Sequence, residues 1–246
     1  MYLLMSFLCY AYFFVTAAML FAALVLLTPL TFIFDRNKKL LHELTSLWGY
    51  HFVMLNPWWK CLIEGAEYLE PGKAYVIVAN HQSLADVFVL AGLKHNFKWV
   101  SKESLLRIPF FGWNMKLNNY VSLKRGDRKS IKEMMSGCKA WLQKGVSIMM
   151  FPEGTRSEDG CIGDFRDGSF KLSLDCNVPI VPIVITGTRE LIAKHSIVFN
   201  FNARMKVKVL PPILPAAFEK SPGKLREHVH DLMVQTMGCM LHEQTS

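Results

Sequence analysis

The first 34 residues of the chain carry no charged side chain, and this feature restricts the fold more than any other. The stretch from Tyr2 to Phe34 is aliphatic and aromatic throughout. About 20 such residues are enough for a helix to cross the hydrocarbon core of a bilayer. The stretch lacks a basic start and an A-x-A cleavage site, so we do not expect a signal peptide. A buried hairpin of a soluble protein is a poor alternative for 34 uncharged residues, and we expect a membrane anchor.

The anchor is predicted to begin with a hydrophobic helix over residues 2–34. Pro29 should kink or end this helix, because proline lacks the amide hydrogen that the helix needs. The basic cluster at residues 35–39 follows at once and indicates a cytoplasmic end. We therefore expect a membrane protein on the cytoplasmic face, at the inner membrane if the source is bacterial.

A second helix of the anchor is predicted over residues 38–56. Apolar residues recur there at helical spacing, and Asn56-Pro57 ends the pattern. Two arrangements fit the two helices. The first is one spanning helix followed by an amphipathic surface helix, and the second is a hairpin that dips into one leaflet.

The positive charge of the chain is concentrated in one segment. The formal net charge is +8, and residues 94–132 hold ten Lys or Arg against two acidic residues, which accounts for all of it. A basic segment favours anionic partners. Large apolar side chains such as Trp99, Phe110 and Trp113 alternate with these cations, as at a membrane interface. An ordinary solvated face over a core fits this segment equally well.

The rest of the chain, from about residue 60, alternates short apolar runs with amphipathic helices. Alternation of this kind predicts an α/β fold, a mixed and mostly parallel sheet flanked by helices. The predicted strands are residues 74–79, 97–101, 120–123, 146–151, 178–185 and 204–210, and the predicted helices are residues 87–93, 131–142 and 225–241.

A histidine and an aspartate follow the first of these strands, in the segment Asn-His-Gln-Ser-Leu-Ala-Asp over residues 80–86. His81 and Asp86 can meet if the histidine lies in a loop and the aspartate in the first helical turn. Ser83 fits that arrangement, because a serine three residues before an acidic residue is typical of a capping box. A lone spacing of this kind often arises by chance. An imidazole braced by a carboxylate is, however, suited to taking a proton from an alcohol.

A second polar segment, Phe-Pro-Glu-Gly-Thr-Arg-Ser over residues 151–157, follows the predicted strand 146–151. Ligand sites of open α/β sheets lie at such carboxyl ends of strands. Gly154 allows backbone amides to approach an anion, and Arg156 can bind a phosphate with two hydrogen bonds. Glu153 is suited to accept from a substrate hydroxyl or to orient Arg156. A surface turn with a local salt bridge is the structural alternative.

Two further segments complete the pattern. Lys102 and Arg125 each follow a predicted strand, so we expect both cations on the same rim of the sheet, although each by itself fits a solvated surface position. The run Val178–Ile183 (VPIVPI) has no reactive group. Its two prolines indicate an edge strand or a bulge, beside an apolar ligand channel.

These segments together resemble the four blocks of the 1-acylglycerol-3-phosphate acyltransferase family, the PlsC-type lysophosphatidic acid acyltransferases. The resemblance runs in order from Ala74 to Ile185, and FPEGTRS and VPIVPI match their blocks. The segment FRDGS at residues 165–169 is similar to a Phe-Lys-x-Gly-Ala/Ser segment of the family. The chain departs from the second block at Asn119, where glycine is common, and at Lys124, where aspartate is common.

The resemblance implies a glycerolphosphate acyltransferase-like fold and a reaction. Residues 1–57 would be the membrane anchor and residues 58–246 the catalytic domain. A fatty acyl group would pass from acyl-CoA or an acyl carrier protein thioester to the sn-2 hydroxyl of 1-acylglycerol 3-phosphate, giving phosphatidic acid for phospholipid synthesis. The implied catalytic residues are His81, the general base, and Asp86, its partner. The implied ligands of the glycerol phosphate are Lys102, Arg125, Glu153, Gly154, Thr155 and Arg156.

The thioester is already activated, so we expect neither a cofactor nor a metal. The chain has no G-x-S-x-G elbow, no P-loop and no zinc spacing among its six scattered cysteines. Some histidines show no partner in the sequence, namely His42, His51, His95, His195 and His242.

Three other interpretations remain open. A related acyltransferase acting on glycerol 3-phosphate, a lysophospholipid or a lyso-ornithine lipid would use the same catalytic pair. A catalytically silent lipid-binding protein of the membrane is the second, and the intact His81 and Asp86 argue against it. A nucleic-acid-binding protein is the third, motivated by the charge of +8. The apolar N-terminus argues against it, and we expect no nucleic acid partner.

Overall fold

The computed structural model describes residues 2–192 and 196–245, with side chains up to Glu243. His195 thus lies outside the described residues. Seven strands form one sheet in the order β1-β7-β6-β2-β5-β3-β4, and all neighbours are parallel except β6 and β7. The strands are β1 (Lys60–Glu64), β2 (Val76–Ala79), β3 (Phe97–Lys102), β4 (Val121–Leu123), β5 (Ser147–Met150), β6 (Ile180–Thr186) and β7 (Arg204–Val209).

Helices cover both faces of this sheet, so the predicted α/β fold with a mostly parallel sheet is confirmed. The α-helices are α1 (Tyr2–Thr31), α2 (Lys39–Leu55), α3 (Asp86–Leu90), α4 (Phe111–Leu117), α5 (Arg128–Gln143), α6 (Gly168–Cys176), α7 (Thr188–Leu191) and α8 (Pro222–Thr245). Short 3₁₀ turns lie at Ala66–Tyr68, Ala91–Leu93, Glu103–Arg107 and Pro215–Phe218.

The core has two halves, one on each side of the sheet. Strand β2 shows why, because Ile77 packs into one half and Val76 and Val78 pack into the other. The first half lies under α2, α3 and α4, and the second lies under α5, α6 and α8. A strand buried on both faces is continuously apolar, as the run at residues 74–79 indicated.

The strand with two prolines is central, which corrects the prediction of an edge position. Strand β6 lies between β2 and β7. The alternative prediction, a bulge, fits the antiparallel side of this strand. The register there shifts by one residue between the pair Ile183 and Val209 and the bridge between Ile180 and Ile213. An extra residue of this kind interrupts the ladder locally, and a proline is tolerated where the ladder needs no amide hydrogen.

The two N-terminal helices pack on the α/β domain. Helix α1 is long and apolar enough to cross a bilayer by length and composition. It nevertheless contacts the domain along its length: the Tyr2 ring lies 5.9 Å from Phe201, and the Phe21 ring lies 5.3 Å from Trp113. The outward side of α1 exposes large apolar residues, among them Leu3, Leu4, Phe7, Leu8, Val15, Met19, Leu26 and Leu30.

Candidate active site

The loop after β2 is held in place by the first residue of the NHQSLAD segment. Asn80 is buried, and its side chain exchanges two hydrogen bonds with the backbone of Ile185, at 2.7 and 3.0 Å. These bonds continue the pairing of β2 with β6 beyond the end of β2. The loop therefore leaves the sheet at its carboxyl edge in a defined direction.

His81 and Asp86 lie in direct contact. The distance from His81 Nδ1 to Asp86 Oδ2 is 2.7 Å. The same Asp86 oxygen accepts from the backbone amides of Gln82, at 2.7 Å, and Ser83, at 2.9 Å. The Asp86 side chain is 0% exposed and the His81 ring is 15% exposed. A carboxylate at Nδ1 holds the tautomer that leaves Nε2 free to accept a proton.

The predicted loop-to-helix junction falls between these two residues. Helix α3 begins at Asp86. Ser83 donates its amide to Asp86, and the Ser83 hydroxyl oxygen accepts from the Ala85 amide at 3.2 Å. The first of these bonds is that of a capping box, but the hydroxyl bonds the amide two residues on instead of three. The residue directly before α3 is Ala85, which gives no side-chain cap, so the predicted capping box is only half formed.

The His81 ring also has a fixed orientation. It stacks on Phe151, with ring centroids 4.0 Å apart and an interplanar angle of 12°. Phe151 directly follows β5, the neighbour of β2 in the sheet. The first two polar segments therefore meet because their strands are adjacent.

Glu153 joins the two segments through the backbone. Its Oε1 accepts from the His81 amide at 2.7 Å, and its Oε2 accepts from the Gly163 amide at 3.0 Å. The side chain is buried, and this burial raises the pKa of Glu153 above its ordinary value. Both oxygens thus already bind the protein's own amides. The sequence-based assignment of Glu153 as a substrate ligand stays a prediction.

Thr188 is a residue of the site that the sequence analysis missed. Its hydroxyl donates to Asp86 Oδ1 at 2.5 Å, and both side chains are buried. Gly187 makes this position possible, because it has φ of +81° and an added Cβ would lie 1.8 Å from the Arg204 carbonyl oxygen. The available sequence signal is a Gly-Thr pair that follows the predicted strand 178–185 after one intervening residue, Thr186.

An apolar cavity of about 410 Å³ opens beside the His81 ring. Binding pockets for small molecules have volumes of about 300–1,000 Å³. Its walls come from several helices, including the N-terminal helix α2. Apolar residues that line it are Trp48, Leu84, Val87, Phe88, Ala91, Trp99, Val100, Leu105, Phe111, Met115, Leu123, Ile131, Met134, Met150 and Phe151. No residue of β6, which is fully described, lines this cavity, and the channel expected beside that strand stays a prediction.

Several of the predicted phosphate ligands meet at this cavity. Lys102, Arg125 and Gly154 line it together with His81. Lys102 ends β3 and pairs in register with Leu123 of β4, so the predicted common rim of Lys102 and Arg125 is confirmed. The other three predicted ligands, Glu153, Thr155 and Arg156, do not line the cavity. Their substrate roles stay predictions.

Arg166 is a second residue of the site that was not among the ligands predicted from the sequence. It lines the cavity with Lys102 and Arg125. An added Cβ at Gly154 would lie 2.9 Å from Arg166 Nε, so the guanidinium lies directly over that glycine. The signal was present in the sequence, because this arginine stands where the family segment FKxG(A/S) has lysine.

Behind the cavity lies a buried polar cluster that the sequence did not indicate. His42 contacts the Tyr120 hydroxyl at 2.8 Å and the His95 carbonyl oxygen at 3.1 Å. Lys98 is fully buried, with Nζ 4.8 Å from the centre of the Trp141 ring. Burial lowers the pKa of His42 to about 3 and that of Lys98 to about 7. The basic segment at residues 94–132 fitted a solvated face, but Lys98 of that segment is buried.

The chain has Asn119 at a position where the family commonly has glycine, and the backbone conformation there explains why asparagine fits. Its φ is +54°, in the left-handed region. Glycine enters this region freely, and asparagine enters it more readily than most other residues. Asparagine therefore keeps the backbone turn that a glycine would make between α4 and β4.

Comparison with known proteins agrees with the geometry. The Acyltransferase family model matches residues 60–186. A chloroplastic 1-acyl-sn-glycerol-3-phosphate acyltransferase of Brassica napus is 35% identical over 184 residues, which cover 74% of this chain and 53% of that relative. The 1-acyl-sn-glycerol-3-phosphate acyltransferase of Saccharomyces cerevisiae is 33% identical over 206 residues, 82% of this chain and 67% of that relative.

A solved structure is similar over nearly the whole chain. The crystal structure of the 1-acyl-sn-glycerophosphate acyltransferase PlsC from Thermotoga maritima aligns with a TM-score of 0.79 and 28% identity, covering 98% of each chain. This chain spans about half the length of the first three curated relatives, 53%, 56% and 55%. On the family model, these relatives and this structure, the chain belongs to the PlsC-type 1-acylglycerol-3-phosphate acyltransferase family.

Proposed function

We propose that the protein transfers a fatty acyl group from acyl-CoA or an acyl carrier protein thioester to the sn-2 hydroxyl of 1-acylglycerol 3-phosphate. The product would be phosphatidic acid. The observation that carries the proposal is the contact of 2.7 Å between His81 and the buried Asp86, at the mouth of an apolar cavity whose rim bears cations. The choice of acceptor is supported by the relatives in Brassica napus and Saccharomyces cerevisiae, both named 1-acyl-sn-glycerol-3-phosphate acyltransferases.

In the proposed mechanism, His81 acts as the general base. Its Nε2 accepts the proton of the acceptor hydroxyl as that oxygen attacks the thioester carbonyl carbon. Asp86 keeps Nδ1 protonated and stabilises the imidazolium that forms. The tetrahedral intermediate then expels the thiolate of the carrier, which takes up a proton. The acyl group is activated by the thioester itself, so the reaction needs no cofactor.

The cavity and its rim would bind different chemical parts of the substrates. Lys102 and Arg125 would hold the phosphate of the acceptor, and the apolar wall would hold an acyl chain. Because α2 supplies part of that wall, through Trp48 and Gly49, the anchor would present the cavity to lipid. Most of the expected rate gain is therefore positioning of a lipid acceptor against a soluble donor.

For the anchor, we propose the hairpin in one leaflet. A helix of 30 residues is about 45 Å long, and α1 contacts the domain from Tyr2 to Phe21. A perpendicular crossing would draw the polar surface of the domain into hydrocarbon, where unpaired polar groups are costly. A tag placed before Tyr2 should be accessible from the same side of sealed vesicles as the domain. Accessibility from the opposite side only would show a spanning helix.

The function is tested with the purified full chain, a labelled acyl-CoA and a labelled acyl carrier protein. The acceptors are 1-acylglycerol 3-phosphate, glycerol 3-phosphate, a lysophospholipid and a lyso-ornithine lipid. We expect labelled phosphatidic acid, lost in His81→Ala. Preferred acylation of another acceptor would replace the proposed substrate. Equal activity of His81→Ala and wild type would overturn the mechanism.

A further inference from the structure

Helix α6 begins in this cavity without a cap. The preceding residue, Asp167, makes no capping bond, and its carboxylate instead pairs with Arg226 at 2.7 Å. The first backbone bond of the helix runs from the Lys171 amide to the Asp167 carbonyl oxygen at 2.9 Å. Within the described part of the chain, the amides of Gly168, Ser169 and Phe170 consequently have no acceptor. Free amides at a helix N-terminus bind anions, and the helix dipole favours negative charge there.

An unpartnered buried hydroxyl lies at the same place. Ser169 is 3% exposed, and its Oγ has no hydrogen-bond partner among the described residues. Ser169 and Gly168 both line the cavity. A Cβ added at Gly168 would meet no atom within 4 Å, so there is open space at the first turn of the helix. Buried polar groups are nearly always hydrogen-bonded, and Ser169 therefore points to a ligand that approaches this turn.

A guanidinium completes the site. Arg166 stands two residues before the helix and lines the cavity, with Nε over Gly154. Its backbone is held by a bond of 3.0 Å from the Arg166 amide to the Pro152 carbonyl oxygen. In the described part of the molecule, the Arg166 side chain has no ion pair or hydrogen bond. It is thus available to bind an anion through two nitrogen atoms.

We infer that Arg166, Ser169 and the free amides of α6 form a binding subsite for a phosphate monoester. The inference depends on the proposed function, because the subsite lies in the same cavity. Its side chains, Arg166 and Ser169, are not among the phosphate ligands predicted from the sequence. A dianionic phosphate has three terminal oxygens that can accept from the guanidinium, the hydroxyl and the amides together. The phosphate would come either from the lipid acceptor or from the CoA part of the donor, since both carry phosphate monoesters.

The test compares Arg166→Gln and Ser169→Ala with two matched controls. Lys171→Gln removes a cation on the exposed side of the same helix, and Ser173→Ala removes an α6 hydroxyl that bonds to Val178 at 2.6 Å. Inorganic phosphate is the probe, titrated against the purified full chain by calorimetry. We expect its Kd to rise about tenfold in each site variant, as for the loss of one charge-assisted hydrogen bond. In the two controls the Kd should change less than twofold.

Kinetics then identify the source of the phosphate. If Arg166→Gln and Ser169→Ala raise the KM of the lipid acceptor, the subsite holds the acceptor; if they raise the KM of acyl-CoA, it holds the donor. In both cases kcat should stay within about threefold of wild type. Unchanged phosphate Kd in Arg166→Gln and Ser169→Ala would overturn the inference. Because calorimetry needs no turnover, this result is distinguishable from failure of the proposed acylation.

Discussion

The bond from Thr188 to Asp86 is short, buried and isolated from the cavity, which makes it a sharp test of the site. Thr188→Val keeps the branched shape and removes the hydroxyl. Asp86 Oδ1 then loses its donor, since Thr188 is the only described residue that donates to this oxygen. The remaining donors, His81 and two backbone amides, all bind the other oxygen. We expect the carboxylate to rotate away from the orientation that braces His81.

The size of the effect follows from the burial. A hydrogen bond to a charged group contributes about 1.5–3 kcal/mol to the free energy of unfolding. When one partner is removed, the other is left buried and without a hydrogen bond, so this contribution is lost in full. We therefore expect the free energy of unfolding to fall by about 2 kcal/mol. For a chain of this length, 1 kcal/mol shifts Tm by about 2–4 °C, so Tm should fall by roughly 4–8 °C. A loss of 1.4 kcal/mol in the transition state is about tenfold in kcat, and we expect a decrease of about that size.

The assay measures Tm, kcat and KM on the purified full chain. Thr188→Ser should restore most of kcat, because serine can donate the same bond. KM should stay near wild type, since Thr188 does not line the cavity. Thr236→Val is the matched control, because it removes a hydroxyl that bonds to Leu232 at 2.8 Å on α8. The reasoning fails if Thr188→Val keeps wild-type kcat, or if serine rescues nothing.

Three further substitutions test other parts of the structure. Burial lowers the pKa of Lys98 from 10.5 to about 7. Between these pH values the native state holds fewer protons than the unfolded state, so the free energy of unfolding rises with pH. The Tm of the wild type should therefore be higher at pH 9 than at pH 7, and this rise should be smaller in Lys98→Met; an equal rise in both proteins would contradict the prediction. Gly187→Ala should lower both Tm and kcat, because its Cβ would lie 1.8 Å from the Arg204 carbonyl oxygen, and an unchanged melting curve would show that the close approach does not constrain the turn. Glu153→Gln places a side-chain NH₂ group against the backbone amide of either His81 or Gly163, so one of these two hydrogen bonds is lost. Tm and kcat should fall while KM stays nearly constant. A rise in the KM of the acceptor alone would indicate that Glu153 contacts the substrate instead.

Local order along the chain was accessible from the sequence. The positions of six of the seven strands followed from the sequence, whereas β1 was not predicted. The loop-to-helix junction followed from the segment between Ser83 and Asp86. His81 and Asp86 are five residues apart, so chain geometry alone brings them together once the helix begins at Asp86. The common rim of Lys102 and Arg125 followed from their places at strand ends. Each of these features depends on neighbours in sequence or on the direction of a strand.

Contacts between distant segments were decided by packing alone. The bond from the His81 amide to Glu153 joins residues 72 apart, and the bond from Thr188 to Asp86 joins residues 102 apart. The burial of Lys98 depends on aromatic rings from other elements. No local pattern encodes which strands become neighbours, and for the same reason the prolines of β6 suggested an edge.

The sequence by itself determined the contact between His81 and Asp86, the family and the apolar N-terminal helix, because each depends on a short contiguous segment. The tertiary structure decided which groups bind to that pair and which side chains line the cavity beside it. The physical reason is that a buried carboxylate or hydroxyl must find partners wherever the fold brings them. Those partners come from whichever strand and helix ends pack at the same edge of the sheet.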